Sequence, residues 1–225
     1  MRKEIPMPDP HHLLENNEAW AKMRLQQDSD FFAHLATLKK PKYMWIGCSD
    51  SRVPANEMIG VEPGQVFVHR NVANQVQHTD LNCLSAVQYA VDILGVEHII
   101  VTGHYDCGGV RAAMESQHFG IVDNWIRGIR DTYIDYASEM KACDAHKRLD
   151  MLCELNVKRQ VDKLSHTRIV QNAWATGRKL SLHGWVYRLQ EGLLRDLRVT
   201  KSCANDVPSI YRVAGVPDFP CNSED

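Results

Sequence analysis

Two short clusters carry most of the chemistry this chain can offer. Cys48-Ser-Asp50-Ser-Arg52 is one, and His104-Tyr-Asp-Cys107, 52 residues past Arg52, is the other. Together they hold two thiols, an imidazole and a carboxylate. Zinc accepts sulfur, nitrogen and oxygen donors, so Cys48, Asp50, His104 and Cys107 are a compatible tetrahedral set for one zinc per chain. A cysteine alone in an apolar stretch is ordinarily a small buried hydrophobe. Here Cys-x-Asp and His-x-x-Cys each follow an apolar run, with glycine beside both, and the joint pattern favours metal. Cys83, Cys143, Cys153, Cys203 and Cys221 have no such partners and read as structural, and His11-His12 reads as a surface pair.

The runs that must position these groups are Tyr43-Met-Trp-Ile46 and His98-Ile-Ile-Val-Thr102, short apolar segments of the kind that form buried strands. Strands are expected over residues 43–47, 65–70, 98–103, 179–187 and 193–200. Residues 11–38 read as two helices, with Asp28-Ser-Asp30 restarting the second, and Pro54 suits the first turn of a short one. Thr79 is the expected cap of a helix whose Leu81, Leu84, Val87, Ala90 or Val91 and Leu94 share one face, closed by Gly95. Gly108-Gly109 opens a helix through Met114, and helical patterns follow at about 122–140, 146–165 and 167–177. The alternation predicts an α/β fold with a mainly parallel central β-sheet flanked by helices. It is expected as a single domain over 1–225, with an N-terminal helical arm at 1–40 and a C-terminal tail at 201–225, loosely ordered from Val216. Ligand sites in such sheets lie beyond the carboxyl ends of the strands, where both clusters fall.

Composition narrows the class. A chain of 225 residues with 44% hydrophobic content can build an enzyme-sized core, and its net charge of −2 gives no reason to expect nucleic acid or an anionic membrane as partner. No apolar stretch follows a basic start and no run is long enough to span a bilayer, so neither a signal peptide nor a membrane segment is expected. Seven scattered cysteines, an odd number, do not form a disulfide framework and fit a reducing, cytoplasmic setting.

Four stretches resemble the β-class carbonic anhydrases: Trp45 to Arg52, Phe67-Val-His-Arg-Asn-Val-Ala-Asn74, Asp80-Leu-Asn-Cys-Leu-Ser-Ala-Val-Gln-Tyr-Ala90, and Gly103-His-Tyr-Asp-Cys-Gly-Gly109. The similarity continues through Asn124-Trp125, Cys153-Glu-Leu-Asn156 and His183-Gly-Trp-Val-Tyr187, and is strongest to the bacterial branch. It implies a zinc lyase that reversibly hydrates carbon dioxide to bicarbonate and a proton, by attack of a zinc-bound hydroxide. Two thiolates, a neutral imidazole and a carboxylate on Zn²⁺ leave no place for water, and exchanging Asp50 for hydroxide preserves the charge. The resemblance assigns Arg52 to hold the freed Asp50 carboxylate, a task its planar fork suits. It also implies an apolar substrate pocket walled by Phe67, Val72 and Tyr89, partly across a subunit interface. Gly108 and Gly109, at a helix start, offer N–H groups to bicarbonate.

Trp45, Arg70 and Tyr187 match a trio that binds bicarbonate away from zinc in one subgroup and favours closure, with Val53 in the loop that moves. Asp106 departs from the glycine common at its position; it reads as a helix N-terminal carboxylate in preference to a proton-transfer group. The family implies self-association as a homodimer or a dimer-of-dimers tetramer, to which the N-terminal arm could contribute. Two rival readings are a catalytically silent bicarbonate sensor, which the intact ligand set and dyad disfavour, and a related zinc hydrolase of carbon disulfide or carbonyl sulfide.

Overall fold

A computed structural model describes residues 9–37 and 40–213. Expectations placed on Leu38, on Cys221 and on the tail from Val216 lie outside the described residues. The chain divides into two compact units, Met1–Lys39 and Lys40–Asp225. In the first, α1 (His12–Gln27) and α2 (Phe31–Thr37) meet through an edge-to-face cluster of Trp20, Phe31 and Phe32. Asp28 makes the break, its carboxylate accepting the Asp30 N–H.

The second unit runs β1 (Tyr43–Cys48), α3 (Ala55–Met58), β2 (Val66–Asn71), α4 (Leu81–Gln88), β3 (His98–His104), α5 (Gly108–Met114), α6 (Val122–Trp125), α7 (Arg127–Asp135), α8 (Ala137–Ala142), α9 (Ala145–Ser165), α10 (Arg168–Ala175), β4 (Ser181–Tyr187) and β5 (Leu194–Asp196). The sheet order is β2-β1-β3-β4-β5. The first four are parallel and β5 is antiparallel to β4. Residues alternate between the two faces of each strand. Met44, Ile46, Ile99, Val101 and Leu182 point to the face that α4, α9 and α10 cover, which holds the largest core cluster. Tyr43, Trp45, Ile100 and Trp185 point the other way, into a smaller cluster beneath α3.

Five expectations shift. Asp80, not Thr79, caps α4, because its carboxylate reaches the Asn82 N–H at 3.0 Å. Leu81, in the exposed first turn, is off the buried face. The helical pattern at 122–140 breaks into α6, α7 and α8. At the first break Gln77 takes the Trp125 carbonyl at 2.8 Å, and Ile126 leaves helical geometry to be fully buried. The last strand stops at Asp196, whose side chain accepts the Arg198 N–H while Arg198 turns left-handed. Finally, Cys203 is disulfide-bonded, against the reading of all seven cysteines as thiols or ligands. Among the described residues no helix is long and apolar enough to cross a membrane.

α9 is capped by the Asp144 carboxylate on the Lys147 N–H and lies directly on β3 and β4. Gly184 permits this approach: a Cβ there would fall 2.5 Å from Val199, 3.1 Å from Val157 and 3.2 Å from Val161. Overpacking of that kind costs about 1–3 kcal/mol. Gly184→Ala should therefore lower unfolding stability by about that amount in denaturant titration; a change within error of zero would show that Val199 and α9 can yield without cost.

Candidate metal centre

Parallel neighbours end on the same side of a sheet, so β1 and β3 deliver Cys48 and His104 to one edge. Cys107 follows three residues later as the extended N-cap residue of α5. The three donor atoms lie within 4.8 Å of one another, and all three residues are buried. The two sulfurs are 3.7 Å apart. Two thiolates at about 2.3 Å from a tetrahedral zinc would be separated by about 3.8 Å, so the pair is spaced for that ion. His104 Nδ1 donates to the Tyr105 carbonyl at 3.1 Å, which fixes the tautomer and leaves the Nε2 lone pair free. Nε2 is buried with no hydrogen-bond partner, an orphan that a metal would satisfy.

The sulfurs lie within hydrogen-bonding distance of each other. The hydrogen bond from Cys107 pulls Cys48 down to about 4 against its burial, with the Asp50 and Ala73 N–H groups adding to the effect. The same bond, with burial, pushes Cys107 up. Cys48 is thus the better-supported anion, receiving N–H bonds from Ala73 at 3.2 Å and Asp50 at 3.4 Å. A dication held by Cys48 and Cys107 would replace the thiol protons. The donor set fits zinc.

Beside the cluster lies a cleft of about 140 Å³ whose walls include Asp50, Arg52, His104, Tyr105, Asp106 and Tyr187. Asp50 is exposed, and its carboxylate stands outside the three-donor group. Its Oδ2 lies 3.4 Å from where a Gly108 side chain would begin. Arg52 faces the same cleft without an ion pair to Asp50 among the described residues. Asp106 takes a left-handed φ of 57° and pairs with Arg111 at 3.2 Å.

Trp45, Arg70 and Tyr187 share one sheet face. Arg70 bonds the Cys48 carbonyl at 2.9 and 2.8 Å and also reaches the Ser51 carbonyl. The Tyr187 hydroxyl meets Ser51 Oγ at 2.6 Å. Arg70 and Tyr187 therefore grip the Cys48–Val53 loop from opposite sides, and Ser51, which the sequence reading passed over, is where they meet. Phe67 and Tyr89 stack on each other at 5.9 Å and, with Val72, lie outside this cleft. Val72 packs by Gly109, where a Cβ would come 2.9 Å from it. Leu189 and Gln190 complete the cleft wall instead; the sequence carried no signal for them.

A second set of donors, His69, Asp80 and Cys83, also lies within 4.8 Å. Its chemistry opposes a cation. Asp80 is already the cap of α4, whose N-terminal dipole is positive. The Asn71 amide, oriented by its two bonds to Gln75, presents its N–H to His69 Nε2 at 3.3 Å. Burial, with the Asp80 charge, pushes the Cys83 thiol up to about 12, and no partner cation or N–H lowers it.

A family model described as Carbonic anhydrase matches residues 43–194. A carbonic anhydrase of Emericella nidulans is 43% identical over 203 residues, which cover 89% of this chain and 89% of the relative. Among solved structures, a β-carbonic anhydrase of Coccomyxa in complex with acetazolamide superposes with a TM-score of 0.83 at 39% identity, covering 89% of this chain and 91% of that one. One of two tetrameric β-carbonic anhydrases of Sordaria macrospora superposes at 0.81 with 35% identity, covering 85% and 98%.

Metal analysis separates the two donor sets. Cys107→Ser should lose its zinc, whereas His69→Ala and Cys83→Ala should each keep the wild-type content of one per chain. Retention of zinc by Cys107→Ser would sink the assignment.

Proposed function

The chain belongs to the β-class carbonic anhydrases, zinc enzymes that interconvert carbon dioxide and bicarbonate, and from that premise we propose that Asp50 and Arg52 gate its Cys48–His104–Cys107 centre. Bound zinc supplies Lewis-acid activation of water near neutral pH. The observation that carries the gating reading is the position of Asp50. Its main chain is tied to Cys48 Sγ while its carboxylate, free of the donor group, shares a cleft with Arg52. From there a modest loop movement takes the carboxylate either to the three donors, completing the ligand set, or to the Arg52 guanidinium. Held by Arg52, Asp50 accepts a hydrogen bond at the mouth of the centre and orients the attacking oxygen. Gly108 and Gly109, in the first turn of α5, have N–H groups without intrahelical partners, which supports their reading as donors to product bicarbonate.

The grip of Arg70 and Tyr187 on the loop supports bicarbonate-linked closure. An anion near Trp45 that draws Arg70 off the Cys48 and Ser51 carbonyls, or Tyr187 off Ser51, frees the residues that carry Asp50. That geometry supports a reading as a member of the regulated subgroup, and the motif stretches support the bacterial branch. Self-association is supported by the tetrameric Sordaria relative and by the outer edge of β2, unpaired among the described strands, beside exposed Val68, Val72 and Tyr89. A second copy there would bring Phe67, Val72 and Tyr89 to a shared pocket. The free thiols at Cys48, Cys83, Cys107, Cys143 and Cys153 support a cytoplasmic setting, and the Cys203 disulfide weighs against it.

Arg52→Ala should keep its zinc and lose most of its hydration turnover, because the closed arrangement gains when Asp50 has no other partner. Stopped-flow rates equal to wild type between about pH 7 and 9, where activated water ionises, would refute the gate. Withdrawing Asp50 admits a water that releases a proton, so high pH favours the open arrangement. Bicarbonate should therefore inhibit the wild type more strongly as pH falls. In Tyr187→Phe this inhibition should weaken; an unaltered inhibition profile would remove Tyr187 from regulation.

A further inference from the structure

The turn after β2 adopts a costly conformation. Ala73 and Asn74 both lie in the left-handed region, at φ 60° and 47°, though neither is glycine. Such geometry persists only where its surroundings over-determine it. Here the surroundings are three buried amides. Asn156 Nδ2 and Gln75 Nε2 both donate to the Ala73 carbonyl, at 3.0 and 2.9 Å. Asn156 Oδ1 accepts from Gln75 and from Gln160, at 2.7 and 2.9 Å, and Gln160 Oε1 accepts the Val76 N–H at 2.9 Å. Gln75, Asn156 and Gln160 are essentially inaccessible to water. Fixing the Ala73 carbonyl on one side of the residue aims its N–H on the other, and that N–H meets Cys48 Sγ.

Asn156 and Gln160 come from α9, as do the supports of the other two donors. Cys153 Sγ accepts the Cys107 N–H. Glu154 holds the Tyr105 hydroxyl at 2.6 Å, and Tyr105 supplies the carbonyl that orients His104. One helix therefore reaches all three metal donors: Cys107 directly, Cys48 through Ala73 and His104 through Tyr105.

We propose that Asn156 is a positioning residue of the zinc centre: it locks the left-handed Ala73 turn so that the Ala73 N–H stabilises the Cys48 thiolate on the metal. This rests on the assignment of zinc to Cys48, His104 and Cys107. Partners of this kind characteristically change metal affinity by about 10–100-fold when removed. Asn156→Asp keeps the shape and the acceptor, deletes the donor to Ala73 and sets an oxygen against its carbonyl.

The test uses the full-length protein loaded with Co²⁺, read by its thiolate-to-metal charge-transfer band and by the rate of Co²⁺ release to excess dipicolinate. Asn156→Asp should release Co²⁺ at least about tenfold faster than wild type and shift the band, since the charge on Cys48 is less stabilised. Thr132→Val, which removes a buried hydroxyl bonded to the Gly128 carbonyl within α7, controls for general destabilisation and should leave band and release rate unchanged. If Asn156→Asp does not fold, Gln75→Met, lacking the other donor to Ala73, is read the same way. A folded variant with wild-type band and release rate overturns the proposal, as does a Thr132→Val protein that matches it in both. A wild type that shows no thiolate band overturns instead the assignment of the centre.

Discussion

Two thiols held 3.7 Å apart in a buried site, against an imidazole nitrogen with no partner, are the constraint on which the rest of the structure depends. Without a cation the pair can hold only one negative charge, because like charges at that distance in a low dielectric cannot both ionise. The fold nevertheless keeps them together. It does so with main-chain geometry: two strand ends and the N-cap residue of a helix set the three donors, so their spacing does not rely on flexible side chains. Rigid elements place functional groups more precisely than loops can.

The contrast between the two sides of the centre is informative. On the core side α9 braces each donor through Cys153, Glu154 or Asn156, and a left-handed turn is tolerated at a cost of about 1 kcal/mol or more per residue. On the cleft side Asp50 and Arg52 are exposed and unpaired with each other among the described residues. Their loop is held by a few hydrogen bonds from Arg70 and Tyr187. The metal donors are thus over-determined and the gate is under-determined. That division suits a site whose geometry must stay fixed while one coordination position exchanges.

Much of this was legible in the sequence, for a definable reason. The strands β1 and β3 are continuous apolar runs, and the donors sit at their ends, so sequence proximity and spatial role coincide. Pro54, the N-cap of α3, and Gly95, left-handed after the helical turns Tyr89–Leu94 that continue α4, marked helix boundaries through backbone preference alone. What could not be read involved pairs distant in sequence. Nothing local says that the Trp125 carbonyl is taken by Gln77, which ends α6, or that Asn156 addresses Ala73, 83 positions away. Cys153, read as a structural thiol, supports the Cys107 main chain, a role visible only once α9 is docked. A signal for the bracing stripe did exist: Cys153, Asn156 and Gln160 recur at helical spacing within an otherwise apolar face, and polar residues placed on a core-facing stripe demand partners.

The parallel register also governs how the molecule comes into being. β1 pairs with β3 across 55 positions of chain, Tyr43 against His98, and β3 with β4 across 83, His98 against Ser181. Chain closure of that span must precede any reward from the pairing, and folds dominated by such non-local contacts assemble slowly. Cys48 cannot meet Cys107 until the first pairing is made, and α9, which braces them, cannot dock fully until β4 arrives. A nascent chain therefore carries reactive, unmetallated thiols through a long interval before its binding cage closes. Until that cage closes, Cys48 and Cys107 stand without the buried surroundings that hold them in the folded chain.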